Sequence, residues 1–77
     1  MNADDILLSA FENIAGHLTN LDLIRTKVNE LTGHDYSIEE IIHLIEGEME
    51  AMDVTIRTDL RILINEIRHL MIRMSSG

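Results

Sequence analysis

Seventy-seven residues with 14 acidic and six basic side chains, a formal charge of −8, exclude a multidomain protein. The same charge argues against direct nucleic-acid binding, because phosphate contacts need clustered Lys and Arg. Without cysteine there is no disulfide framework, thiolate metal site or thiol nucleophile, and nothing ties the chain to an oxidising compartment.

No proline, two aromatic residues (Phe11 and Tyr36) and a surplus of Leu, Ile and Met make the expected fold all-α, one helical domain over 1–77. A core this small is marginal alone, so a partner subunit is expected. The opening "MNADDILLSA" lacks the basic stretch of a signal peptide, and no apolar run exceeds three residues. Neither secretion by that route nor membrane insertion is expected, and the expected location is cytoplasmic.

In chain order, the first helix is expected over about 4–16, where Leu7, Phe11, Ile14 and Leu18 share a face. Gly16 offers a stop, and Thr19 with Asp22 a weak capping box. In one continuous helix, Ile24, Val28 and Leu31 would drift about a third of a turn from that face, which favours a separate helix over about 20–32. "LTGHDYSIEE" is the clearest boundary: Gly33 suits a left-handed helix end, and Ser37 with Glu40 forms a capping box.

From Ile38 on, a step of about 100° per residue gathers Ile38, Ile41, Ile42, Ile45, Met49, Met52, Ile56, Leu60, Leu63, Ile67, Leu70 and Met74 into one stripe. The apolar pattern repeats every eighteen residues, as in Ile38/Ile56/Met74 and Ile45/Leu63. It predicts one helix over about 38–74, a rod of about 55 Å. Gly47 weakens that helix without breaking it. The expected architecture is two or three helices in an antiparallel hairpin that dimerises into a bundle.

Two Glu-x-x-His spacings, Glu40/His43 and Glu66/His69, resemble half the ligand set of a di-iron bundle. On the helical wheel all four residues fall outside the apolar stripe, so they read as solvated surface. His17 and His34 stand beside glycines at helix ends, where capping or exposure is expected. Met49, Met52 and Met74 lie in the stripe and Met71 at its edge; they read as core filling more readily than as an adaptable binding surface. No Ser-His-Asp set, glycine-rich phosphate loop or zinc spacing is present, so no catalytic, cofactor or metal residue is expected.

Charge is uneven along the chain, −9 over residues 1–50 and +1 over 51–77. Glu39, Glu46 and Glu50 share a flank with Arg57, Arg61 and Arg68, acidic in the first half of the long helix and basic in the second. Two such helices laid antiparallel would match acid to base, whereas the plainer reading is a solvated flank with a local Asp53–Arg57 pair. Ile62, Ile64 and Ile72 lie outside the main stripe and wrap apolar surface round the C-terminal half. The interface expected for a homodimer or bound partner is therefore Ile56, Leu60, Leu63, Ile64, Ile67, Leu70, Met71 and Met74, with Glu46, Glu50, Arg57, Arg61 and Arg68.

From Gly33 onward, the glycine helix end, the Ile41-Ile42 pair, the aliphatic Ile45 and Met49, Glu50, Asp59-Leu60 and Glu66-Ile67 resemble the small enterobacterial biofilm and acid-stress regulators of the AriR (YmgB) type, the two-component connector proteins. Phe11 and Gly16 stand in a matching place upstream. The family's asparagine-rich approach to the "II" pair is replaced by "HDYSIEE". The resemblance implies a dimeric helical protein that docks on a regulatory partner, such as a response regulator of an envelope-stress phosphorelay. The residues alone support an acidic helical adaptor without chemistry of its own. Two alternatives are a helical chaperone for a secretion-system or phage assembly component and an acidic nucleic-acid mimic. Salt separates them, since a charge mimic loses its partner steeply as salt rises.

Overall fold

The computed structural model describes residues 2–75. Residues 1, 76 and 77 of the single domain expected over 1–77 lie outside the described residues. Four α-helices, α1 (Ala3–Ile14), α2 (Leu21–Leu31), α3 (Ile38–Met49) and α4 (Val54–Ser75), and a 3-10 turn at Ala15–His17 make up the architecture, with no strand among the described residues.

Local signals account for most boundaries. The Asn2 side chain accepts a bond from Asp5 N at 2.9 Å and starts α1, with Asp4 and Asp5 in the first turn where the helix dipole favours acids. α1 ends in the 3-10 turn, tightened by Leu18 N donating to Ala15 O, so the split into two N-terminal helices falls where the drift of the apolar face places it. Gly33 has φ +82°, the left-handed helix end expected of it. The Ser37–Glu40 capping box forms in both directions, at 3.1 and 3.2 Å.

Two expectations are corrected. The Thr19–Asp22 capping box does not open α2. Asn20 holds the cap position without a side-chain cap bond, and the Thr19 backbone N–H instead reaches Asp59 on α4. The expected rod over 38–74 is also broken: residues 50–53 form a turn between α3 and α4, giving four helices where two or three were expected. Short backbone bonds, Ala51 N to Glu48 O and Met52 N to Met49 O, tighten the end of α3. Arg57 then turns its side chain back onto two carbonyls of the corner, Nε to Met49 O at 3.2 Å and Nη2 to Met52 O at 3.0 Å. α4 restarts with Arg57 N donating to Asp53 O at 2.8 Å. In place of a rod of about 55 Å, the molecule measures 36 × 24 × 18 Å.

α1 runs antiparallel along α4, since Asn13 meets Glu66 while the later residues Thr19 and Asn20 meet the earlier Asp59. This is the most extensive helix contact, with α2 and α3 packed around it. The core is aliphatic and draws on all four helices: Leu7, Ile24, Ile41, Ile45, Leu60, Leu63 and Ile67 are at most 1% exposed. Burying each such side chain contributes roughly 1.5–3 kcal/mol.

One charge sits among them. Asp59 is 1% exposed, and its carboxylate accepts from Thr19 N at 3.1 Å, Asn20 N at 2.7 Å and Asn20 Nδ2 at 3.1 Å. A buried carboxylate costs several kcal/mol unless hydrogen bonds replace its water. Three donors from the entry to α2 do so here.

Asp59→Ala should lower the unfolding free energy in urea by about 2–4 kcal/mol, because two N–H groups lose their acceptor as well as the bonds themselves. Asp22→Ala, on an exposed side chain, should change it by less than about 0.5 kcal/mol.

Candidate functional site

An open cleft of about 630 Å³ lies between α3 and α4. Glu46 and Met49 project from the last turn of α3, Glu50 from the cap that follows it, and Arg57, Arg61, Ile64, Asn65 and Arg68 from α4. On α4 these follow intervals of three, four and one, which place them along one flank of a helix. Ile64 is buried and Met49 half-buried, giving the cleft an apolar floor between charged rims.

The three arginines do different things. Arg57 is held by the two carbonyls of the α3/α4 turn. Arg68 reaches across to Glu46 at 3.5 Å, with both side chains about half exposed. Arg61 is exposed and makes no hydrogen bond or ion pair among the described residues. The acid-to-base match expected between two chains thus occurs within one, because the turn at 50–53 folds the basic half of the flank back against the acidic half. The local Asp53–Arg57 reading is likewise replaced: the Arg57 guanidinium goes to backbone oxygens.

The expected interface divides. Glu46, Glu50, Arg57, Arg61, Ile64 and Arg68 gather at the cleft. Leu60, Leu63 and Ile67 are at most 1% exposed, in the chain's own core, and in this conformation leave no surface for a second molecule to cover, while Ile64, 4% exposed, shows only an edge at the cleft floor. Ile56, Leu70 and Met71 are half-buried against that core. Toward the end of α4 apolar surface stays open, at Ile72 (67% exposed) and Met74 (45%).

The Glu-x-x-His residues point outward as the wheel requires. Glu40 serves the capping box, Glu66 accepts from Asn13 Nδ2 at 2.9 Å, and His43 and His69 are exposed. His17 is exposed too, and His34 stacks on Tyr36 with ring centroids 5.2 Å apart. Met49, Met52 and Met71 pack against the core, while Met74 does not.

Long-range contacts that escaped the sequence reading include the bonds to Asp59, the Asn13–Glu66 bond, the Lys27–Glu48 pair at 3.0 Å and the bond from Gly33 N to Asp4 Oδ2 at 3.0 Å. Asp59 alone carried a signal, for it lies at the edge of the apolar stripe, about 60° from its centre, where an acid is out of place.

No protein-family model, curated protein or solved structure matches this chain.

A double-mutant cycle on Glu46→Ala and Arg68→Ala should give a coupling no larger than about 1 kcal/mol, weakening with salt, as exposed ion pairs do. A coupling of several kcal/mol would mean the pair holds α3 on α4.

Proposed function

We propose that this chain is a small regulatory adaptor without enzymatic chemistry, which binds another protein through the α3/α4 cleft. The observation that carries the reading is the unengaged Arg61 on the cleft rim, beside an apolar floor of Met49 and Ile64 and opposite Glu46 and Glu50. An arginine around apolar contacts, mounted on helices, is the residue pattern that dominates protein–protein binding energy. The cleft is lined by arginine, glutamate, asparagine, methionine and isoleucine, which suits recognition better than proton transfer or nucleophilic attack.

The resemblance of residues 33 onward to the connector regulators makes a response regulator of biofilm or acid-stress control the first partner to test. Such a partner would present an acidic side chain to Arg61 and a basic one to Glu50. The net charge of −8 keeps direct nucleic-acid contact out of the proposal. Among the described residues no helix is long and apolar enough to cross a membrane, and membrane contact is not invoked.

Calorimetric titration against a purified envelope-stress response regulator tests the reading. Wild-type chain should bind, and Arg61→Glu with Arg68→Glu should weaken binding by about tenfold or more while helical circular dichroism is unchanged. Equal binding by the double variant would move the interface off the cleft. No binding by the wild type would remove the connector reading.

A further inference from the structure

The turn between α3 and α4 contains neither glycine nor proline. Its residues are Glu50, Ala51, Met52 and Asp53, and the first three are strong helix formers. The apolar stripe also crosses the turn in phase: Ile38, Ile42, Ile45 and Met49 before it and Ile56, Leu60, Leu63 and Ile67 after it follow the spacing of one uninterrupted helix. Local sequence therefore encodes a straight helix through 50–53, and the corner depends on contacts from elsewhere. Those at the corner itself are the two Arg57 bonds to Met49 O and Met52 O, whose acceptors a straight helix would satisfy with its own N–H groups.

Other contacts that hold α4 in place join it to residues before the turn. Asn13 to Glu66, Thr19 and Asn20 to Asp59, and Glu46 to Arg68 all span it. Each can form equally well with the α4 of another molecule. We infer that residues 50–53 are a hinge, and that a second copy of this chain is a partner: with the hinge straightened into one helix from α3 through α4, two molecules exchange their α4 helices and each rebuilds the same core. The exchange changes only the corner. Its acid-to-base pair at Glu46 and Arg68 then runs between chains, and the two walls of the cleft come from different molecules. This goes beyond the docking reading and does not depend on it.

Two substitutions push the hinge in opposite directions. Val54, the first residue of α4, is 71% exposed. Proline is favoured at a first helical position, but in a straight helix it would lack the N–H that Glu50 O requires and would clash with that carbonyl. Val54→Pro therefore permits the corner and forbids the exchange. Arg57→Ala removes the corner's side-chain bonds and favours it.

The test refolds each protein from denaturant over a series of chain concentrations and measures mass by light scattering. Wild type should shift from 8.8 kDa toward twice that mass as concentration rises. Val54→Pro should stay at 8.8 kDa with wild-type helicity. Arg57→Ala should raise the dimer association constant by about a hundredfold, tenfold for each corner released. Equal dimer in wild type and Val54→Pro would overturn the inference, as would monomer throughout for both wild type and Arg57→Ala. Were Val54→Pro to lose helicity, Arg57→Ala decides alone: more dimer than wild type supports the hinge, and no more dimer overturns it.

Discussion

The Asp59 carboxylate lies where the link between the first two helices crosses the start of the last one, and it fixes how the two halves of the molecule meet. It accepts from two consecutive backbone N–H groups and one side-chain amide at the entry to α2. That entry is also the N-terminal end of α2, where backbone N–H groups lack partners within the helix. Aliphatic packing is tolerant of small slides, because one methyl contact replaces another at little cost. The three bonds to Asp59 are not, and they set the register in which α1 lies on α4. From that register follow the Asn13–Glu66 bond and the enclosure of Leu60 and Leu63.

How much of this was legible depended on whether the signal was local. Gly33, Ser37 and Glu40 act on their own neighbours, so the link between α2 and α3 could be read to the residue. The separation of the first two helices was legible as well, because Phe11 and Val28 cannot face one core on a single straight helix. The corner at 50–53 was hidden for the opposite reason. Both α3 and α4 must turn their apolar faces to the same core, and here the turn leaves their phases aligned, so periodicity has nothing to register. Asp59 itself was visible only as an acid at the edge of a stripe; its donors lie some forty residues upstream, at Thr19 and Asn20.

The candidate site shows the same limit from another side. Segregation of Glu46 and Glu50 from Arg57, Arg61 and Arg68 along one flank was plain in the sequence, and so was its tendency to pair acid with base. Whether the pairing would join two chains or two halves of one could not be read, because the wheel gives azimuth and not path. Once the chain turns at Met52, Glu46 meets Arg68 of its own molecule and Arg61 is left over. A flank that looked like an adhesive for a second copy becomes the rim of a cleft.

The embrace of α1 by α4 also bears on how the protein comes into being. While the chain is being synthesised, α1, α2 and α3 emerge before the helix that covers them, and Leu7, Ile24 and Ile41 have no finished core to enter. Contacts between the thirteenth and sixty-sixth residues cannot form until nearly all of the described chain has cleared the ribosome. The docking of α4 therefore follows the stage at which α1, α2 and α3 can first meet one another. The nascent chain meanwhile carries an open aliphatic surface, of the kind that chaperones near the ribosomal exit recognise.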